Sequence, residues 1–362
     1  MSLKRGLAAV ALLLALAACW DYPQSSLEPK TDFAESIHYL YVLIFWITLA
    51  ILVVVWGILG YILVRFRDRP GAPRPKQIRG HLGMEIAWTV VPAIIVVAIA
   101  IPTIQTVFRT QRAPGPDILI VDVIGHRFWW EFRYPDGVVT ANDLHLPVGV
   151  PVTLRMRSAD VIHSFWVPML GGKRDLNPRV AQPPQAEGEG AFNYLHFTVR
   201  EPGLYRGQCA EYCGGSHALM GVRVVAQSPF EFQAWKTDWR GPGVDSAAAG
   251  GGGAARIELG RRTFQGAACV ACHAVQGTPA QGMIGPNLTL FGQRATVAGW
   301  LENDPDNLVR WITSPRSVKP GARMPGIAEP GGNFPPTNLS EEQVRAVAEY
   351  LYSLGRAPDG AL

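Results

Sequence analysis

Two long apolar runs near the start of this 362-residue chain constrain its fold most, one at 37–64 and one at 86–108. At 1.5 Å of rise per residue, each exceeds the roughly 20 residues that cross a hydrocarbon layer about 30 Å thick. Helices this long and this poor in charge are expected to span a membrane rather than to form a buried core hairpin. Between them lie Arg65, Arg67, Arg69, Arg74, Lys76 and Arg79, opposed only by Asp68. The positive-inside rule therefore places this short loop in the cytoplasm and both flanking ends outside.

The first residues agree from separate signals. Lys4 and Arg5 precede an apolar stretch at 7–16 that closes with Leu16-Ala17-Ala18-Cys19, the order of a secretory signal over 1–18 with a small-residue cleavage site. A cysteine directly after the small residues looks like a bacterial lipobox, in which Cys19 becomes the acylated first residue; the alternative is an ordinary signal with Cys19 incidental. The expectation is a protein of the bacterial inner membrane with a two-helix hairpin over 33–110 and the rest on the periplasmic face. Charged residues make up only 17% of the chain and hydrophobic ones 48%, against about 25% charged in an average soluble domain. Disorder throughout is thereby excluded, as is a single small module on length. The basic residues are scattered and the net charge is only +4, so no nucleic-acid partner is expected.

The exported part divides in two. Over 115–228, short alternating or β-rich runs at 118–124, 152–156, 192–199 and 221–225, separated by Gly, Pro and Asp, predict a β-sandwich. The stretch 229–255, Gly- and Ala-rich from Pro242 onward, reads as a flexible linker. Beyond it, 256–357 shows helical apolar spacing at 257–264, 307–312 and 341–354, with Ser340 as N-cap, and predicts a small all-α module.

Within the sandwich, Cys209-Ala-Glu211-Tyr-Cys213-Gly-Gly-Ser-His217-Ala-Leu-Met220 gathers two thiols, an imidazole and a thioether in one loop. This is a soft-ligand set of the copper type. Two thiolates can bridge two copper ions, each then needing its own imidazole. His217 supplies one, and His163 is the best upstream candidate because it ends a β-run and leads into a Pro-terminated turn. His126, His145 and His196 read as ordinary strand histidines. A Cys209–Cys213 disulfide is a competing reading in an exported protein, but it leaves the spacing of His217 and Met220 without a reason. A zinc site is another, and Met220 speaks against it.

In the helical module, Cys269-Val-Ala-Cys272-His273 is the string in which two thioethers hold a haem and the histidine ligates its iron. A redox disulfide or half a zinc site are the competing readings, and no second cysteine pair completes zinc. Met324 lies late in the module and is the expected opposite axial ligand, whereas Met283 follows His273 too closely. At the cytoplasmic start of the second apolar run, Glu85 either complements the helix dipole or marks an ion pathway.

The loop string resembles the CuA loop of cytochrome c oxidase subunit II, and the resemblance extends through Glu85-Ile-Ala-Trp88, Gly125-His-Arg-Phe-Trp129-Trp130 and His163-Ser-Phe-Trp to cover about 37–227. It implies a cupredoxin-like domain in which Cys209 and Cys213 bridge a dinuclear copper centre and His163 and His217 terminate it. Met220 and the Glu211 carbonyl would be weak axial ligands, and the Glu211 carboxylate would reach a magnesium or manganese ion at the boundary with subunit I. Glu85 would mark the mouth of a proton pathway. The helical module resembles a class I cytochrome c. The implied function is electron transfer from fused haem c through copper to subunit I, where oxygen is reduced to water with proton translocation. Subunits I and III and an upstream cytochrome c or cytochrome bc complex are the implied partners. Phe128 stands where the family usually has the Trp that receives electrons, so Trp129 or Trp130 is expected to border the route. The family's Pro-Gly-Arg is reduced to Pro178-Arg179, and a polar stretch at 180–190 replaces the usual short connection. A CuA-containing nitric oxide reductase subunit and a membrane-anchored redox or copper carrier are the alternative functions. The carrier gives Glu85 no purpose, and a quinol oxidase subunit would lack both loop cysteines.

Overall fold

The computed structural model describes residues 22–67, 69–71, 80–112, 115, 118–178, 192–240 and 252–356. The signal segment 1–18, Cys19 and the 180–190 stretch lie outside the described residues.

Helix α1 (Asp32–Arg65) and helix α2 (Leu82–Gln111) are the two apolar helices, long enough to cross a membrane and not buried by the rest of the chain. At 34 residues α1 is about 51 Å long, more than a bilayer core requires. Part of its surplus is its first turn, which belongs to the sandwich. Thr31 caps the helix, and its hydroxyl donates to the Leu170 carbonyl at 2.7 Å. Asp32 Oδ1 accepts the Thr198 N–H at 2.8 Å, and Phe33 enters the sandwich core. Pro92 and Pro102 lie inside α2, a position that membrane helices tolerate better than soluble ones.

Ten strands form the sandwich: β1 (Leu119–His126), β2 (Trp129–Arg133), β3 (Val139–Ala141), β4 (Asp143–Pro147), β5 (Pro151–Ser158), β6 (His163–Trp166), β7 (Arg174–Leu176), β8 (Asn193–Thr198), β9 (Gly203–Cys209) and β10 (Gly221–Gln227). One sheet runs β3-β2-β1-β5-β8 and the other β4-β10-β9-β6-β7. Alternation decides which side chains face inward: in β10, Val222, Val224 and Ala226 are buried and the residues between them are not. Trp130, Phe132, Leu144, Leu154 and Phe165 fill the space between the sheets.

Residues 229–240 depart from the expected linker. They form helix α3 (Pro229–Arg240), which places Phe232, Trp235 and Trp239 on one buried face against the sandwich. Their spacing of three and four residues is that of a helical stripe, and Asp136 pairs with both Lys236 and Arg240. His163 also differs from expectation in opening strand β6 rather than closing a β-run.

The C-terminal module is helical, and its first helix opens inside the stretch expected to be linker, at Gly252 rather than after residue 255: α4 (Gly252–Gly266), α5 (Cys269–Cys272), α6 (Pro305–Thr313), α7 (Pro315–Val318) and α8 (Glu341–Ser353). Ser340 and Gln343 close a capping box at α8. Phe264, Leu308, Ile312, Val347 and Leu351 form its core.

Candidate metal centres

Strand register brings the first centre together. Phe165 of β6 pairs with Cys209 of β9, and the Ala210 N–H donates to the Ser164 carbonyl at 2.9 Å. His163, two residues before Phe165, therefore projects from the same face of β6 and reaches Cys209. Beyond Cys209 the chain turns through Gly214, whose φ of +129° favours glycine. One short turn of 3-10 helix at His217–Leu219 then returns Met220 to the site.

The Cys209 and Cys213 sulfurs lie 3.9 Å apart, far beyond the roughly 2.05 Å of a disulfide, and both thiols are free. Cys209 Sγ is 3.9 Å from His163 Nδ1 and 3.2 Å from the Glu211 carbonyl oxygen. Cys213 Sγ is 3.7 Å from His217 Nδ1 and 3.8 Å from Met220 Sδ. The ligand atoms of His163, Cys209 and Cys213 all lie within 4.8 Å of one another, and all three residues are buried. Each thiol thus faces its own imidazole. The hydrogen bond between the thiols lowers the Cys209 pKa against the opposing effect of burial, with His163 assisting; the same contact, together with burial, pushes the Cys213 thiol up. This donor set fits the paired coppers expected of it.

Asp160 was not singled out in the sequence. Its Oδ1 meets His163 Nε2 at 2.8 Å, while the Arg127 and Val161 N–H groups donate to its carboxylate. Burial would raise the Asp160 pKa, but the His163 hydrogen bond and the two backbone donors hold it below the usual range. A carboxylate on the far nitrogen of a metal-binding imidazole fixes its tautomer and orientation. A carboxylate three residues before His163 was the available signal.

Trp130 is fully buried with its ring 6.0 Å from that of His163. Trp129 instead stacks on His126 at 4.2 Å, away from the thiols. Phe128 is buried beside Gly214 of the loop. Each strand histidine has a local partner: His126 has Glu131, His145 has Gln227 and His196 has Thr153. The Glu211 side chain is partly exposed, 3.8 Å from Lys173.

In the helical module, Cys269 and Cys272 sit three apart on α5 and therefore share a face. His273 Nδ1 lies 2.8 Å from the Pro286 carbonyl oxygen, which leaves Nε2 as the ring's free coordinating atom. A Cβ on Gly285 would come within 2.7 Å of the His273 ring, so the imidazole is closely cradled. Met324 packs on the same core as Cys269 and Val270, whereas Met283 is 82% exposed. Two free thiols, an oriented imidazole and a packed methionine fit the ligands of haem c.

Glu85 lies in the first turn of α2, where its Oε1 accepts the His81 N–H at 3.2 Å. That contact completes its local capping role.

Residues 138–227 match the cytochrome c oxidase subunit II periplasmic domain, 25–106 its transmembrane domain and 257–355 cytochrome c. Cytochrome c oxidase subunit 2 of Alkalihalophilus pseudofirmus is 36% identical over 91% of this chain and 90% of its own. That of Bacillus subtilis is 34% identical over 94% of each chain. Among solved structures, the periplasmic domain of subunit II of cytochrome oxidase from Bradyrhizobium japonicum is 27% identical over 34% of this chain and 94% of its own, with a TM-score of 0.30. The subunit II match implies copper, and the cytochrome c match implies haem.

Proposed function

This chain belongs to the cytochrome c oxidase subunit II family, carrying a fused cytochrome c domain, and from that premise we propose that it is the electron-receiving subunit of the oxidase. Electrons arrive at the helical module from an upstream cytochrome c or cytochrome bc complex. They pass to the copper loop and then to subunit I, where oxygen is reduced to water with proton translocation. The helices stand in the bacterial inner membrane beside subunits I and III, with both redox modules on the periplasmic face.

Copper and haem c, when bound, each supply a one-electron redox centre. Cys209, Cys213, His163 and His217 would hold the paired coppers, with Met220 and the Glu211 carbonyl as weaker donors. Asp160 keeps Nδ1 of His163 aimed at the thiols. The partly exposed Glu211 carboxylate, beside Lys173, would reach magnesium or manganese at the subunit I boundary. Cys269 and Cys272 would hold the haem through thioethers, and His273 and Met324 would ligate its iron. Trp130, against His163, borders the electron route. Glu85 opens a proton pathway on the cytoplasmic side.

The observation that carries this reading is the separation of 3.9 Å between two free thiols, each facing a different imidazole. Metal analysis of the purified complex should give two coppers per copy of this chain in a mixed-valence state, and Cys213→Ser should abolish the mixed-valence signal. A single copper in the wild-type loop would overturn the assignment.

A further inference from the structure

A lysine is among the side chains least often buried, because removing its ammonium from water is costly unless it is fully bonded. Lys319, at the end of α7, is nevertheless only 3% exposed. Its Nζ donates to the carbonyls of Phe128 and Ala298 at 2.6 Å each. Ala298 belongs to the cytochrome module, while Phe128 belongs to the sandwich. Burial lowers the Lys319 pKa to about 7, with Cys213 acting in the opposite direction.

The residues that follow continue the contact onto the copper loop. The Ser216 hydroxyl, fully buried and next to His217, donates to the Pro320 carbonyl at 2.7 Å. The Phe128 ring lies between the two modules: a Cβ on Gly214 of the loop would meet it at 3.2 Å, and one on Gly321 of the module at 3.3 Å. A second patch closes the seat. Asp143 Oδ2 accepts the Ala295 N–H at 3.3 Å, and a Cβ on Gly221 would lie 2.5 Å from the Gly299 carbonyl oxygen.

We propose that Lys319 is a positioning residue that clamps the cytochrome module onto the copper loop. The module is then a donor with a fixed seat, not one that finds the copper centre by searching at the end of a tether. The inference rests on the electron-transfer reading above and adds the contact that holds donor to acceptor. Transient electron-transfer partners usually meet through small interfaces steered by surface charge, and salt screens such contacts. The buried bonds from Lys319 Nζ to two backbone carbonyls are screened far less.

A protease site placed within 241–251 of the purified oxidase complex tests this. After cleavage the wild-type module should stay bound, at high salt as well as low. Lys319→Met keeps the length of the chain but leaves both carbonyls unpaired, so the cut module should bind about tenfold more weakly or worse. In the uncut K319M complex, haem-to-copper transfer should slow by a similar factor, with the haem and copper spectra unchanged. Wild-type retention and an unchanged rate in this variant would overturn the clamp and leave the electron route standing. Absence of haem-to-copper transfer in uncut wild type would instead overturn the functional reading. Should K319M fail to incorporate haem, Ser216→Ala decides: loosened retention with both spectra intact supports the seat, and wild-type retention contradicts it.

Discussion

His145 owes its chemistry to what covers it. Its ring stacks on Trp235 at 4.1 Å, and Nδ1 lies 3.0 Å from the Gln227 side-chain oxygen. Burial lowers its pKa to about 4 despite the Gln227 hydrogen bond, and Arg294 of the cytochrome module adds repulsion. Between pH 6.5 and 4 the unfolded chain binds a proton that the folded one refuses, so stability should fall as pH drops through that window and be flat above it. Two and a half pKa units set a ceiling of about 3 kcal/mol. Thermal melts of wild type and His145→Gln across this range check it, and the variant should show the shallower slope. At this scale the sequence was most informative where chemistry depends on spacing within one loop, as for Cys209, Cys213, His217 and Met220. Lys319 carries no local signal because its partners, Phe128 and Ala298, are brought near it only by the fold, whereas Asp160 lies three residues before His163 and was legible in principle.

Helices and strands were legible where burial is periodic. The alternation in β10 and the apolar runs of α1 and α2 follow directly from side-chain pattern, and α8 announced itself through Ser340 and Gln343. Helix α3 was missed because its mean polarity is that of a linker, with only three aromatic residues marking its inner face. Those residues do much of its packing: Trp235 stacks on His145 and meets Phe232 at 5.7 Å and Tyr134 at 5.5 Å. Trp235→Ala should destabilise the sandwich by about 3–5 kcal/mol through lost burial and the cavity left behind. Denaturant unfolding of the extramembrane portion measures this, and a change under about 1 kcal/mol would mean that α3 is not part of the core. Losing that cover should also return the His145 pKa toward its ordinary value.

The division into a membrane hairpin, a sandwich and a helical module was legible from composition and turn residues, since each lies in a continuous stretch of chain. How the two exported modules meet was not. Their contact joins Phe128 to Lys319 and Ser216 to Pro320 across more than a hundred residues, and nothing local marks such pairs. Docking gives the molecule its direction: the cytochrome module sits against the loop that carries Cys209, Cys213, His217 and Met220, and α1 begins inside the same sandwich before entering the membrane. The central claim is that electrons pass within one chain from the haem of the cytochrome module to Cys209, Cys213, His163 and His217. Its most direct test is to reduce the haem of the intact subunit with a light-triggered donor and follow copper reduction as the protein is diluted over about a hundredfold range. A rate constant unchanged by dilution is predicted; a rate proportional to protein concentration would contradict the account and make another molecule the donor.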